Sequence, residues 1–286
     1  MKNMIVLSSI LNSMLLSFIE LFSLLGVIIL VGLVIGILER YSNAYLFRAL
    51  GIRGLLLTAW IGTPIHEIGH LIQCFIWGHR VTKVKLLQRN HGDGVMGFVE
   101  HQYNRNSIYQ RIGNFFIGIG PIFSGIGSLM LGLYLLLPES YDSIATYIHQ
   151  QVTLEELKIG VLKIIGETIL ALCKSIFTLH NLLNPFFWIF LVVAICISSH
   201  TALSKEDIHG SANGLLTIFI LLFLINIAAG VLGFDSYPLI LKLAGYNAYI
   251  LAFASIAVLF SVITLVLSFI LFLVTKKLRR NTRGRF

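Results

Sequence analysis

Long apolar runs are the feature that most constrains what this chain can fold into. Six stretches are rich in Leu, Ile, Val and Phe and carry few charges: residues 16–38, 54–77, 112–137, 183–200, 212–233 and 248–275. A helix needs about 20 apolar residues to cross the hydrocarbon core of a bilayer, and most of these runs reach that length. Charged residues make up 12% of the 286 residues, roughly half of their share in soluble domains. The sequence therefore predicts an all-α, multi-pass membrane protein with about six transmembrane helices.

The first apolar segment has the character of an anchor. It contains one early lysine, no clear small-residue cleavage site, and an apolar stretch that continues to residue 38. These features differ from those of a removable signal peptide. We expect the first span to remain in the protein, with residues 4–19 forming an additional interfacial helix.

The basic residues indicate orientation and not nucleic-acid binding. The formal net charge is +8, but the lysines and arginines flank the apolar runs, so anionic lipid headgroups are the expected partner. The tail after residue 275 and the connection 78–111 carry six basic residues each, and we expect both to be cytoplasmic. With six spans, the N-terminus and the turn 201–211 lie on the same side, and residues 138–182 lie opposite. Three arginines depart from this charge bias, because they fall on the outer side: Arg40, Arg48 and Arg53.

Two segments interrupt the run of membrane helices. Residues 80–103 alternate apolar and polar side chains on either side of the turn sequence "HGDG", which predicts a short cytoplasmic-side β-hairpin between the second and third spans. Thr153 and Glu156 fit a capping box that opens an amphipathic surface helix over 154–179. The three cysteines have no paired spacing, so a disulfide framework is not expected. No internal repeat is present, and we predict a single membrane-embedded domain over 1–286 with its core in 54–215.

A dense group of polar residues lies within the second predicted span. His66 and His70 are four residues apart and share a helix face, so both imidazoles can reach one zinc ion, and Glu67 lies beside them to handle a zinc-bound water. The alternative is that the histidines bond to neighbouring helices and Glu67 is neutral or paired. A carboxylate within a span is costly and is usually retained for function, which favours the metal site. Gly62, Pro64 and Gly69 suit close helix approach and a locally opened backbone.

A catalytic zinc normally needs a third protein ligand, and few acidic residues are placed to supply it. Glu39, Glu167 and Asp235 fall on the outer side of the predicted topology, whereas Asp207 falls at the same end of the bundle as His70. We therefore predict Asp207 as the third metal ligand. Ser204 and Asp207 also fit a capping box, so a helix cap is the alternative role.

Four further residues are weaker candidates for this site. His200 is the alternative third ligand, or else it orients a ligand without touching the metal. Cys74 lies on the His66 and His70 face but is better explained as a small buried apolar residue. Asn181 and Asn184 are candidates for positioning substrate, and helix-start chemistry before a proline explains them equally well.

Together these residues resemble the site-2 protease family of intramembrane zinc metalloproteases. The resemblance covers residues 54 to about 215 and rests on four segments: "HEIGH" at 66–70, the strand-like "WGHRVTKVKLL" that follows it, "GIGPIFSG" at 118–125 and "DIHG" at 207–210. It implies that His66, His70 and Asp207 bind zinc and that Glu67 is the general base.

The expected function is therefore hydrolysis of peptide bonds in or near the transmembrane segments of membrane-protein substrates. The partners are a transmembrane protein or peptide and the lipid bilayer, with no nucleic acid. A metal transporter and a non-proteolytic membrane scaffold that retains a zinc site are the alternatives. Transport is disfavoured because further acidic or histidine residues do not recur across several spans.

Overall fold

The computed structural model of the chain describes residues 2–88, 96–151 and 161–283. It consists of helices and one two-stranded sheet, in this order: α1 (Lys2–Leu50), α2 (Ile52–Ile76), β1 (Arg80–Lys85), β2 (Phe98–Gln102), α3 (Ile108–Gly118), α4 (Gly120–Leu136), α5 (Pro138–Gln151), α6 (Val161–Ile176), α7 (Leu179–Leu183), α8 (Pro185–Ser198), α9 (Lys205–Leu232), α10 (Tyr237–Ala244) and α11 (Asn247–Arg283). The predominantly helical class predicted from the sequence is confirmed.

Three helical segments are long and apolar enough to cross a membrane: Leu7–Leu50, Lys205–Leu232 and Tyr237–Arg279. A fourth is added if α3 and α4, which meet at a bend of 55°, form one broken span. The apolar helix α8 is shorter, with 14 residues. Helix α2, which contains the second predicted span, is not among the membrane-length apolar helices of the described chain. The chain thus has the character of a membrane protein, but the count of six spans is not confirmed.

The first and last long helices run parallel. Ser42 Oγ lies 3.1 Å from Ser268 Oγ, and further along both helices Arg279 donates to the Ala49 carbonyl at 3.0 Å. The end of α1 and the basic end of α11 therefore lie at the same end of the bundle. The predicted topology placed them on opposite sides, and this part of it is wrong, since parallel first and last spans require an odd number of crossings. Counting apolar runs does not reveal the direction in which each helix returns.

Helix α9 runs antiparallel to α1 and brings its N-terminal end to the middle of the bundle. Glu39 of α1 accepts a hydrogen bond from the Ala202 amide, just before α9, at 2.6 Å. Towards the other end of both helices, Asn226 donates to Glu20 at 2.7 Å. The residues predicted as a separate interfacial helix, 4–19, are part of the continuous helix α1.

The predicted hairpin is present as an antiparallel pair of strands. Val84 pairs with Val99 and Arg80 with Gln102, and a bulge lies between Val81 and Lys83. The predicted "HGDG" turn lies outside the described residues, as does the predicted capping box of Thr153 and Glu156. The amphipathic helix expected over 154–179 is seen as α6, Val161–Ile176.

Glycines allow the helices around the candidate site to approach at backbone distance. A Cβ atom on Gly69 of α2 would lie 2.6 Å from the Gly120 carbonyl oxygen of α4, and one on Gly120 would lie 2.6 Å from the Gly69 oxygen. Gly62 packs in the same way against the Cys196 carbonyl at the end of α8. The close approach predicted for these glycines is confirmed, and it brings α2 against both α4 and α8.

Candidate metal centre

Helix α2 places His66 and His70 on one face, one turn apart. Their Nε2 atoms are 3.2 Å from each other, as the four-residue spacing predicts. His70 is 7% exposed, and the side chain of His66 is 14% exposed. The two ring nitrogens therefore converge on one point in the interior of the helix bundle.

Asp207 joins this pair from the first turn of α9. Its carboxylate oxygens lie 3.1 Å from His70 Nε2 and 3.5 Å from His66 Nε2. In the described part of the chain, these three side chains are the one group of three or more potential ligands that could hold a metal ion, with all ligand atoms within 4.8 Å of one another. The structure thus brings together the three residues that the sequence predicted as ligands, although 137 positions separate Asp207 from His70 in sequence.

Backbone carbonyl groups fix the orientation of both imidazole rings. His66 Nδ1 lies 2.8 Å from the His200 carbonyl oxygen, and His70 Nδ1 lies 2.7 Å from that of Ile117. A carbonyl oxygen only accepts hydrogen bonds, so each Nδ1 carries the proton and donates it. Each neutral ring then presents the lone pair of Nε2 to the cluster, which is the arrangement of metal-binding histidines.

The spacing of the three groups suits a shared metal ion. With zinc–ligand bonds of about 2.0 to 2.1 Å, tetrahedral ligand atoms lie about 3.3 to 3.4 Å apart, and the two histidine Nε2 atoms are 3.2 Å apart. Asp207 approaches the two rings with different oxygens, Oδ1 at 3.1 Å from His70 Nε2 and Oδ2 at 3.5 Å from His66 Nε2. Two lone pairs and a carboxylate at these distances repel one another unless a cation or an added proton lies between them. The donor set therefore suits a divalent metal that accepts nitrogen and carboxylate ligands.

Asp207 also caps its own helix. Its Oδ2 accepts from the Ser204 amide at 2.7 Å, while Ser204 Oγ accepts from the Asp207 amide at 3.1 Å, and together they form a capping box. The two roles that the sequence left open for Asp207 are thus compatible in one geometry. The cap fixes the carboxylate against the end of α9, where it faces the histidines.

Glu67 lies next to this cluster and at the wall of a cavity. It is 6% exposed and lines a cavity of about 590 Å³ together with the three candidate ligands. A Cβ atom on Gly97, just before β2, would lie 2.8 Å from Glu67 Cγ and 2.9 Å from Thr63 Cγ2. The absence of a side chain at Gly97 therefore lets the hairpin pack closely over Glu67.

The remaining sequence candidates lie outside the ligand cluster. The ring of His200 is 3.0 Å from Thr58 Oγ1, and its backbone carbonyl, not its ring, orients His66. Asn181 donates to Ser140 and to two carbonyl groups, and Asn184 caps α8. Neither asparagine is among the residues that line the cavity. The helix-start role that the sequence offered as an alternative is shown for Asn184, whereas the Asn181 side chain joins α5 to the end of α6. Cys74 is fully buried and is not part of the cluster.

The polar cavity residues that sequence reasoning missed include Glu39, Asn43 and Asn114. The sequence placed Glu39 on the outer side of the membrane, away from Asp207; in the structure Glu39 lines the same cavity as Asp207 and accepts a hydrogen bond from the turn before α9. Asn43 donates to the Ser199 carbonyl in that turn at 3.2 Å. Asn114 is 7% exposed, and its Nδ2 has no hydrogen-bond partner among the described residues.

A second pair of histidines lies between the hairpin and α3. His79 Nε2 is 2.8 Å from the Gln110 carbonyl oxygen, and its Nδ1 is 3.0 Å from His101 Nδ1. Burial lowers the pKa of His79. Burial, together with the neighbouring His79 and His70, lowers the pKa of His101 to about 4. Both rings are therefore neutral near pH 7. His101 also lines the cavity, and the alternation of Val99 with His101 in β2 is the signal that could have located it.

Comparisons with known proteins do not extend this description. No protein-family model, no curated protein and no solved structure matches the chain.

Proposed function

We propose that this chain is an intramembrane zinc metalloprotease that cleaves peptide bonds in or near the transmembrane segments of membrane proteins. The observation that carries the proposal is the convergence of His66, His70 and Asp207 beside a buried glutamate, at the wall of a cavity within a helix bundle. A metal site with three protein ligands leaves one coordination position open, as catalytic zinc sites do.

The chemistry follows from the residues around that position. When bound by His66, His70 and Asp207, zinc would lower the pKa of water toward about 7 and polarise the scissile carbonyl. Glu67 accepts a proton from the attacking water and returns it to the nitrogen of the departing amine. The carbonyl groups of His200 and Ile117 keep the two imidazoles in the ligand tautomer throughout.

The substrate must be extended before it can be cleaved. Carbonyl groups of a transmembrane helix are already hydrogen-bonded, so the segment to be hydrolysed has to unwind first. Among the described residues the sheet consists of β1 and β2 alone, so each strand has an edge without a partner strand, and such an edge can pair with an extended peptide. Because β2 lines the cavity, pairing there would place the peptide near Glu67. The simpler role for the hairpin is to fix the spacing between α2 and α3.

The basic residues now favour one orientation. The end of α1, with Arg48, contacts Arg279 near the basic tail, so these charges belong to one side of the bundle. By the positive-inside rule that side is cytoplasmic, which agrees with the cytoplasmic C-terminus expected from the tail alone.

The alternatives are a metal transporter and a non-proteolytic scaffold. Transport requires a series of ligand groups across the membrane, and one such cluster is found in the described part of the chain. A scaffold requires no general base, yet Glu67 lies buried beside the cluster. Both features favour hydrolysis.

The test compares the full chain with its Glu67→Gln variant in lipid nanodiscs. We expect wild type with zinc to cleave a model transmembrane substrate, and the variant to keep its zinc and lose cleavage by at least about 10²-fold, the scale of a lost general base. The matched control is Glu139→Gln, an exposed glutamate on α5, which should behave as wild type. Equal cleavage by wild type and Glu67→Gln would refute the proposal, and metal binding without any cleavage would favour the scaffold or the transporter.

A further inference from the structure

Asn114 has a buried amide nitrogen at the wall of the cavity that has no hydrogen-bond partner among the described residues. It lies on α3, one turn before the Ile117 carbonyl that orients His70. The side chain is 7% exposed, and its Nδ2 makes no hydrogen bond with the described residues. A buried donor of this kind destabilises the fold unless something else accepts its hydrogen bond. The cavity that Asn114 lines is where such an acceptor can bind.

His101 presents a hydrogen-bond acceptor to the cavity, where Asn114 presents a donor. His79 Nε2 must donate to the Gln110 carbonyl, so the neutral His79 ring accepts at Nδ1. The 3.0 Å contact between the two Nδ1 atoms then makes His101 the donor. The neutral His101 ring therefore carries its proton on Nδ1 and keeps a lone pair on Nε2. No described residue bonds to that nitrogen, whereas the ring lines the cavity.

The hairpin arranges these groups along one face. Side chains alternate across a strand, so Gly97, Val99 and His101 share a face, and all three line the cavity. Gly97 lies against Glu67, and four residues of extended chain place His101 about 13 Å further along. A peptide that lies along this face with its scissile bond at Glu67 would therefore pass His101 several residues away.

We propose that Asn114 and His101 bind the main chain of an extended peptide in the cavity, Asn114 by donating to a carbonyl oxygen and His101 by accepting a hydrogen bond from an amide N–H. Each peptide group supplies one such acceptor and one such donor, whatever its side chain. The two residues recognise unwound backbone, because a helical peptide has already used both groups. This inference rests on the proposed proteolytic function and names its substrate-binding groups.

The test for His101 measures binding and not cleavage. Synthetic apolar peptides of 25 residues with a central Gly-Gly or Asn-Pro are bound to the full-length Glu67→Gln chain in nanodiscs, and single amides are replaced by esters, which lack the N–H. One ester position should weaken binding about 5-fold, the scale of one hydrogen bond. That loss should disappear in His101→Phe and persist in His101→Gln, whose amide oxygen can accept in place of Nε2. The control His180→Phe changes an exposed histidine.

The test for Asn114 separates binding from folding. Asn114→Leu replaces the unpaired amide with an apolar group of similar size, which should leave thermal stability unchanged or raise it. The same change should weaken peptide binding about 5-fold. A structural role for Asn114 predicts the reverse, lower stability with unchanged binding. Asn106→Leu, at an exposed position before α3, is the control.

A spectroscopic measurement checks the tautomer without any peptide. Nitrogen-15 shifts of labelled histidines, assigned with His101→Gln, should show His101 protonated at Nδ1 and unprotonated at Nε2. A proton on Nε2, or an ester effect that is the same in His101→Phe as in the parent chain, would overturn the proposal for His101. Failure of every peptide to bind would overturn the proposal as a whole. Peptides that bind as described and are not cleaved by wild type would instead count against the proposed function alone.

Discussion

Two buried carboxylates lie toward opposite ends of α9, and their surroundings differ in kind. Glu20, on α1, is 1% exposed and accepts from Asn226 Nδ2 at 2.7 Å and from Ser236 Oγ at 3.3 Å. Asp207 faces the Nε2 atoms of His66 and His70, whose protons lie on the far side of each ring. Donors surround the first carboxylate, whereas the second, besides its bond from the Ser204 amide, faces two lone pairs.

This difference separates a structural acid from a metal ligand. Asn226 also donates to Ser17, so the Glu20 network resembles other buried polar networks in which each member has a partner. At Asp207, the carboxylate and the two Nε2 lone pairs repel one another, and a cation or an added proton between them would remove that repulsion. A carboxylate with little solvent exposure is common to both sites. The chemistry of the neighbours is what distinguishes them.

Replacement of Asp207 should weaken metal binding, and replacement of Glu20 should leave it unchanged. We expect Asp207→Ala to lower zinc affinity by about 10³-fold, more than the 10- to 100-fold typical of groups that only support a ligand. Glu20→Ala should leave zinc stoichiometry unchanged, as measured by elemental analysis of the purified chain. Full zinc occupancy in Asp207→Ala would break the comparison and would move the third ligand elsewhere, with His200 the first alternative.

Removal of the metal should lower the stability of the folded chain through the Asp207 site and not through the Glu20 site. A metal that binds the folded chain at 10³ times its dissociation constant stabilises it by about 4 kcal/mol, so a chelator should lower the unfolding temperature of the wild-type chain in detergent. The His66→Ala variant should show no such drop, whereas Glu20→Gln should show all of it. A chelator effect of equal size in His66→Ala would mean that the metal acts outside the cluster.

The Glu20 site should instead respond to the loss of its acceptor. Glu20→Ala removes the acceptor of one of the two Asn226 Nδ2 hydrogens, the other of which bonds to Ser17, and a buried donor left unpaired costs about 1 to 3 kcal/mol. Glu20→Gln keeps an acceptor oxygen and should cost less than about 1 kcal/mol. Denaturant unfolding in detergent measures both changes. If the two variants were equally stable, the hydrogen bonds at Glu20 would not hold α1 to α9.

The metal cluster was accessible from the sequence because its information is mostly local. The spacing of His66 and His70 fixes a shared helix face, and few acidic residues remain as a third ligand, so Asp207 could be selected by elimination. The hairpin was equally local, since alternation in "RVTKVK" and around Val99 predicts paired strands. For the histidine pair and for the hairpin, a short period in the sequence determines the geometry, whereas Asp207 was reached by elimination alone.

The surroundings of the cluster were not accessible in this way. Glu39 was assigned to the wrong side because the topology was counted from apolar runs, and such a count ignores that α1 continues for 49 residues and runs parallel to α11. Asn114 and His101 reach the cavity through the packing of α3 and the hairpin on α2, which no local pattern encodes. Glu20 and Asp207 also look alike in sequence, because their donors and acceptors come from distant segments.

The histidine pair at the hairpin extends the comparison to a third buried polar site. In His79 and His101, one donor already meets one acceptor at 3.0 Å, so the pair resembles the Glu20 network and requires no cation. A proton added to the neutral His101 ring goes to Nε2, on the cavity side, and charges a partly buried ring that lies next to His79. Burial and the neighbouring His79 and His70 accordingly lower the pKa of His101 to about 4, below the ordinary value of about 6.5.

This shift predicts a small loss of stability in acid. Between about pH 6.5 and pH 4 the unfolded chain binds the proton and the folded chain does not, so the free energy of unfolding falls as the pH falls through that window. Because His101 is partly exposed, solvent screening reduces its contribution to about 1 kcal/mol. The free energy of unfolding is measured at pH 7 and at pH 4.5. The difference between the two values should be smaller than in wild type by this amount in His101→Phe, and it should be unchanged in His180→Phe. If the free energy of unfolding depended on pH in the same way in both variants, then protonation of His101 would not destabilise the folded chain. The histidine pair would then differ from the Glu20 network.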